Sequence, residues 1–117
     1  MKKVYLTQSS SFTAYHSHDG TLNEVRHEHH FNYQVTLHGP LNKEGYLVDF
    51  RDMDLFLKTV VNHRLNNLDL NTLFSHPTTE NVAIWIFETV RAQFPQIVRV
   101  RLAEAPDRWA EYTGEEN

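Results

Sequence analysis

Alternating apolar and polar positions predict two β-strands in the first third of the chain. In the segment from about 3 to 15, which is rich in β-favouring residues, Phe12 and Ala14 alternate with Thr and Tyr. A second alternating run covers 31–38 and ends at a Gly-Pro dipeptide that is typical of a turn. The polar stretch 17–23 between them predicts a loop, so the chain begins with two consecutive strands.

Apolar residues at helical spacing follow in the middle of the chain. Asp52 is expected to cap a first helix, whose buried positions are Met53, Phe56, Leu57, Val60 and Val61. A second helix is expected to begin near Pro77–Asn81, capped by a Thr or by the segment around His76, and to stop at Pro95. Its buried stripe is predicted to be Val82, Trp85, Ile86 and Val90.

Two further strands are predicted near the end of the chain. Residues 97–102 alternate, 105–107 form a turn, and 109–113 form a short last strand. The order ββααββ is that of an α+β domain, in which a four-stranded antiparallel sheet carries both helices on one face. Residues 1–117 are expected to form one domain, and the open edges of its sheet favour assembly through those edges.

Composition and charge narrow the classes of function. The net charge is −4 and the sequence contains no cluster of Lys and Arg, which argues against a nucleic-acid partner. No apolar run approaches the length of a membrane span, and the residues after Met1 lack a signal-peptide core. We therefore expect no membrane partner and a cytoplasmic protein. The absence of cysteine excludes disulfides, a thiolate zinc site and a cysteine nucleophile.

Two histidines separated by one residue, His27 and His29, are the first candidate metal ligands. On an extended strand they share one face, because side chains alternate with a period of two, whereas Glu28 and His30 point to the other face. His16 from the neighbouring strand completes a three-nitrogen cluster, the usual protein share of a catalytic zinc site with one open position. Eight histidines in a short chain also fall close together by accident, so the spacing alone leaves both interpretations open.

Six short motifs carry a resemblance to a known family, in the same order along the chain: Phe12–His16, His27–Phe31, Gly45–Phe50, Asn62–Asn66, Pro77–Asn81 and Arg101–Glu104. The chain resembles the 6-pyruvoyl-tetrahydropterin synthase family, which includes the 6-carboxytetrahydropterin synthases of the queuosine pathway. The resemblance implies the tunnelling fold, in which trimers close a twelve-stranded barrel and two trimers stack as a hexamer. It also implies a zinc-dependent lyase with a pterin substrate and active sites at subunit interfaces.

The resemblance assigns roles to individual residues. The implied zinc ligands are His16, His27 and His29, and the zinc would hold the hydroxyls of the pterin side chain and acidify the adjacent C–H and O–H bonds. Glu104 matches the carboxylate that anchors the pterin, which can accept parallel hydrogen bonds from the 2-amino group and N3–H. The segment that lines the same pocket is matched by Thr78, Thr79 and Glu80, which equally suit a helix start.

The first departure from the family pattern concerns the catalytic base. The family's Cys, four residues before the first His of the pair, is replaced by Asn23, which cannot abstract a proton. The next residue, Glu24, resembles a variant branch in which Glu substitutes for the Cys and dihydroneopterin triphosphate is cleaved to 6-hydroxymethyl-dihydropterin for folate. A partly desolvated carboxylate near zinc can act as a base. The alternative is that Glu24 is a solvated loop acid.

The second departure is Asn62 before His63. The family has Asp there, which orients and charges the His that relays a proton. Asn62 is expected to accept a hydrogen bond from the His63 imidazole without stabilising its charged form, which weakens His63 as a general acid.

Two functions from different classes therefore remain open. The first is a zinc-dependent enzyme that acts on the side chain of 7,8-dihydroneopterin triphosphate and leaves either a 6-carboxy or a 6-hydroxymethyl group. The second is a catalytically impaired paralogue that binds zinc and a pterin without efficient turnover. The retained histidines and Glu104 favour the enzyme, whereas the missing Cys and Asp favour the paralogue.

Overall fold

The computed structural model of the protein describes residues 1–16 and 27–115, except for the side chain of His27. Four strands form one antiparallel sheet in the order β1-β2-β3-β4: β1 (Lys3–His16), β2 (His27–Pro40), β3 (Ile97–Ala105) and β4 (Arg108–Tyr112). The helical segments are α1 (Phe50–Phe56), a π-helical segment (Leu57–Asn62), α2 (His63–Leu65), a 3₁₀ turn (Leu70–Thr72) and α3 (Thr79–Gln93). The predicted α+β fold is confirmed.

The core lies between the sheet and the helices. Phe12 of β1 and Phe31 of β2 are cross-strand partners, and their buried rings stack with centroids 4.9 Å apart on the face that the helices cover. Val100 and Leu102 of β3 continue the same buried layer. The alternation that predicted the strands therefore also marks the face that carries the core, because successive side chains point to opposite sides of a strand.

A buried stripe runs through α1, the π-helical segment and α2 with a spacing of four residues. Its members have no exposed surface: Met53, Leu57, Val61 and Leu65. In a regular α-helix, positions four residues apart drift by about 40° around the axis per step, so such a stripe would turn away from the sheet. The wider turns of a π-helix offset that drift. Val60, which was predicted to be buried, is 39% exposed as a result.

The helix caps differ in part from the sequence prediction. Asp49, and not Asp52, caps α1, and its carboxylate accepts a 2.8 Å hydrogen bond from the backbone N–H of Arg51. Asp52 lies in the first turn, where a negative charge suits the positive end of the helix dipole. The prediction of a Thr cap for α3 is confirmed, since the Thr78 hydroxyl accepts from the backbone N–H of Asn81 at 3.1 Å.

Among residues 1–16 and 27–115, every helix is too short or too polar to cross a bilayer.

Candidate metal-binding site

Three strands bring two imidazoles and one carboxylate together near one end of the sheet. His16 is the last residue of β1, His29 lies near the start of β2, and Glu104 lies near the end of β3. His16 Nε2 lies 3.2 Å from Glu104 Oε1, and His29 Nε2 lies 3.4 Å from the same oxygen. One carboxylate oxygen therefore faces both imidazoles.

The position of Glu104 depends on an irregularity in the sheet. Ala103 pairs with Trp109, but Ala105 pairs with Arg108, so β3 advances two residues while β4 retreats by one. Glu104 lies at this shift. An extra residue of this kind redirects side chains and is common beside functional sites. Strict alternation along 97–102 does not predict this shift, so the direct approach of Glu104 to the histidines could not be derived from the local pattern.

The cluster is largely shielded from solvent. His16 is 1% exposed, Glu104 16% and His29 27%. The Phe31 ring lies 6.0 Å from the His16 ring and 5.9 Å from the His29 ring, so an aromatic side chain borders the two imidazoles. Charges in such an environment interact more strongly than in water.

The donor set fits a zinc ion. One ligand atom each from His16, His29 and Glu104 can be chosen so that all three lie within 4.8 Å of one another. Imidazole nitrogen and carboxylate oxygen are ordinary zinc ligands. His27, the predicted third histidine ligand, is the register partner of His16 on β2, but its side chain lies outside the described residues. Its ligation stays a prediction.

Glu28, which lies between His27 and His29, and His30, which follows them, behave as alternation predicts. Tyr15 donates a 2.8 Å hydrogen bond to Glu28, and this bond, with the charge of the carboxylate, raises the pKa of Tyr15. His30 Nδ1 lies 3.0 Å from the Thr13 hydroxyl, and both Glu28 and His30 are exposed. The prediction that these two side chains leave the face of His29 is confirmed.

A cavity of about 390 Å³ opens beside Glu104, between the start of α3 and β4. Of the predicted pocket residues, Thr79, Glu80 and Glu104 line it, whereas Thr78 caps α3. The Thr79 hydroxyl donates to Glu104 Oε2 at 3.3 Å. The volume lies within the range of small-molecule sites, about 300–1,000 Å³.

All five residues of β4, Arg108–Tyr112, also line the cavity, and the sequence motifs did not predict them. Their place follows from the pairing of β4 with β3, and no motif marks it in the sequence.

His63 lies apart from this cavity. It is exposed at the start of α2 and lines a different cavity of about 410 Å³, which shares no residue with the one beside Glu104. Within one chain, the described structure therefore does not bring His63 and the metal-binding cluster into one pocket.

The expected hydrogen bond between Asn62 and His63 is corrected by the structure. Asn62 Oδ1 accepts a 2.7 Å hydrogen bond from the Tyr33 hydroxyl, and its Nδ2 donates to the Ser10 hydroxyl at 2.7 Å. Neighbouring residues on a helix point in different directions, so an amide directed at the sheet faces away from the imidazole. Asn62 connects the helix to the sheet.

The proposed base Glu24 and its neighbour Asn23 lie outside the described residues.

Together, the fold and the site define a class: a small α+β domain with a metal-compatible His–His–Glu cluster beside a ligand-sized cavity. A family profile described as 6-pyruvoyl tetrahydropterin synthase matches residues 5–115. The chain therefore belongs to the 6-pyruvoyl tetrahydropterin synthase family.

Individual relatives agree with this family. A Pyrococcus furiosus protein named dihydroneopterin monophosphate aldolase is 36% identical over 102 residues, covering 85% of each chain. An Archaeoglobus fulgidus protein named putative 6-carboxy-5,6,7,8-tetrahydropterin synthase is 36% identical over 107 residues, covering 88% of this chain and 90% of that protein. The solved structure of Caenorhabditis elegans 6-pyruvoyl tetrahydropterin synthase superposes with a TM-score of 0.85 at 22% identity, covering 98% of both chains. This last likeness confirms the subunit architecture of the tunnelling fold, and its assembly into trimers and hexamers stays a prediction.

Proposed function

We propose that the protein is a zinc-dependent lyase that cleaves the side chain of a 7,8-dihydroneopterin phosphate. The observation that carries the proposal is the His16–His29–Glu104 cluster beside a cavity of small-molecule size. The name of the P. furiosus relative, dihydroneopterin monophosphate aldolase, supports this substrate class and aldol-type cleavage. The expected product is 6-hydroxymethyl-7,8-dihydropterin, released with a phosphorylated two-carbon aldehyde.

The proposed chemistry breaks the C1′–C2′ bond of the side chain. Glu24 accepts the proton of the 2′-hydroxyl, C2′ becomes the aldehyde carbon, and the bonding electrons pass into the C6=N5 imine of the ring. A proton returned to C1′ then leaves the hydroxymethyl group. A zinc ion held by His16, His27 and His29 would lower the pKa of the side-chain hydroxyls.

Pterin recognition is assigned to the cavity beside Glu104. Thr79 and Glu80 line its wall at the start of α3, and Glu104 supplies the carboxylate that accepts hydrogen bonds from the pterin edge. Thr78 contributes by capping α3, which fixes the backbone that carries Thr79.

The proposed assembly is a hexamer of two stacked trimers. β1 and β4 are the outer strands of the sheet, and each pairs with only one strand within the described chain. Such edges are available for pairing with another copy. His63, which lies outside the Glu104 cavity of its own chain, is proposed to serve as the proton relay at a neighbouring subunit's site. The cytoplasmic location stays a prediction.

A second candidate is a 6-carboxytetrahydropterin synthase, and the name of the A. fulgidus relative favours it. The two candidates act on the same region of the side chain but leave different groups at C6. The impaired paralogue stays as the third outcome, because Asn23 and Asn62 replace residues of the family pattern.

Product analysis separates these outcomes. The zinc-loaded protein is incubated with 7,8-dihydroneopterin monophosphate and, separately, with the triphosphate, and the pterins are identified by mass spectrometry. The proposed function predicts 6-hydroxymethyl-7,8-dihydropterin as the product. The second candidate predicts a pterin with a 6-carboxy group instead. Bound pterin that stays intact supports the impaired paralogue. The variant His16→Ala, treated identically, controls for non-enzymatic breakdown.

A further inference from the structure

Both oxygens of the Glu104 carboxylate are engaged in the described structure. Oε1 faces His16 Nε2 and His29 Nε2, and Oε2 accepts the hydrogen bond from Thr79. A carboxylate that anchors a pterin presents both oxygens to two parallel N–H donors. With Oε1 among the imidazoles, Glu104 cannot do this, so the two arrangements exclude each other.

The distances around Oε1 match those between ligands of one tetrahedral ion. Atoms bound to zinc at about 2.0–2.2 Å with tetrahedral angles lie about 3.3–3.6 Å from one another. Charged N–H···O hydrogen bonds are shorter, about 2.7–2.9 Å. The 3.4 Å from Glu104 Oε1 to His29 Nε2 falls within the range for zinc ligands and the 3.2 Å to His16 Nε2 lies just below it, and both distances are longer than those of charged hydrogen bonds.

From this geometry we infer that Glu104 coordinates the metal through Oε1 in the substrate-free protein and leaves it when a pterin binds. With His16, His29 and the predicted ligand His27, Glu104 would supply the fourth ligand of a metal held there. A catalytic zinc site needs an open position for substrate. Departure of Glu104 opens that position and frees its oxygens for the pterin edge. The second step rests on the proposed function, whereas the ligation does not.

Thr79 is the positioning residue for this exchange. It is the first residue of α3 and holds Oε2 from the cavity side, so the carboxylate lies between the metal ligands and the cavity. Partners that hold a metal ligand by its remaining atom typically change metal affinity by about 10–100-fold when removed.

Cobalt(II) in place of zinc reports the coordination directly through its visible absorption, because the spectrum depends on the number and type of ligands. Three chains are compared without substrate: the parent, Glu104→Gln, and Glu88→Gln, which changes an exposed glutamate on α3. We expect Glu104→Gln to change the cobalt spectrum and to weaken cobalt binding by roughly tenfold or more. Glu88→Gln should match the parent. Circular dichroism verifies that each variant is folded, and Glu104→Asp, which keeps a carboxylate, should recover part of the affinity.

The exchange is tested by adding 6-hydroxymethylpterin, an oxidised pterin that has no C1′–C2′ bond to cleave. The parent spectrum should shift as this pterin binds, with binding followed separately by its fluorescence. A folded Glu104→Gln chain with the parent's cobalt spectrum and affinity overturns the ligation. A pterin that binds without changing the parent spectrum overturns the exchange. Neither result depends on turnover, so both differ from failure to cleave a dihydroneopterin phosphate, which counts against the proposed function alone.

Discussion

The buried hydroxyl of Tyr33 on β2 donates a 2.7 Å hydrogen bond to Asn62 at the end of the π-helical segment. Tyr33 is 1% exposed, and burial raises the pKa of its phenol. Asn62 in turn donates a hydrogen bond to Ser10 on β1, so one amide joins the helix to two strands. Asn62 therefore has a structural role in this chain.

Removing the Tyr33 hydroxyl should lower the free energy of unfolding. Tyr33→Phe leaves the Asn62 oxygen without this partner in a partly buried place, which costs about 1–3 kcal/mol. Chemical denaturation measures the loss. Tyr5→Phe, which changes an exposed tyrosine on the same sheet, should lie within about 0.5 kcal/mol of the parent. Equal effects of the two substitutions would contradict this role.

The buried stripe of Met53, Leu57, Val61 and Leu65 provides a second test of stability. Leu57 is fully buried, and Leu57→Ala is expected to reduce the free energy of unfolding by about 2–5 kcal/mol. Leu55 is 62% exposed two residues earlier, and Leu55→Ala should change it by no more than about 0.5 kcal/mol. Thermal or urea unfolding of both variants measures the difference. A large loss of unfolding free energy in Leu55→Ala would mean that the helix presents another face to the sheet.

The contrast between Leu57 and Val60 shows how far the sequence predicts this fold. Periodicity identified the helix, because apolar side chains must share one face. It could not identify the π-helical turns, which depend on the fit of the whole stripe against the sheet, so Val60 was wrongly placed in the core.

The candidate site, like the helix, was predicted from the sequence only where a local pattern determines it. Strand alternation predicted that His27 and His29 share a face, whereas His16 was assigned from the neighbouring strand and from the family resemblance. The approach of Glu104 to His16 and His29 depends on a shift in the β3–β4 pairing, and the partners of Asn62 come from residues far away in the sequence. Such long-range contacts leave no local pattern.

Metal content tests the histidine cluster. The parent is expected to bind one zinc per subunit, and His16→Ala should lose most of it because a buried ligand is removed. Elemental analysis of purified protein gives the ratio. His76→Ala, which changes an exposed histidine, should keep the parent's content. Undiminished zinc in His16→Ala would exclude this site.

The proposed base is tested by Glu24→Gln, which keeps the size of the side chain but removes its proton acceptor. Turnover should fall by roughly a hundredfold or more, with zinc content and pterin affinity almost unchanged. Glu28→Gln alters the glutamate four residues later in the sequence, which accepts a hydrogen bond from Tyr15 on the face of β2 opposite His29. This variant should stay active. If Glu24→Gln works like the parent while His63→Ala is inactive, the base is His63 or a zinc-bound water.

Assembly is tested by light scattering on the purified chain at micromolar concentration. The proposed hexamer predicts a mass of six subunits, in which the outer strands β1 and β4 are available for pairing between copies. A monomer that still cleaves a dihydroneopterin phosphate would contradict the proposal that sites form between subunits.

The fate of the C1′–C2′ bond shows whether the protein is a lyase of dihydroneopterin phosphates. Zinc-loaded protein and metal-stripped protein are each mixed with 7,8-dihydroneopterin monophosphate, and both fragments are quantified. We expect equal amounts of 6-hydroxymethyl-7,8-dihydropterin and glycolaldehyde phosphate with zinc, little of either without it, and recovery of both when zinc is returned. Intact substrate after prolonged incubation of the zinc-loaded protein would contradict the proposed function.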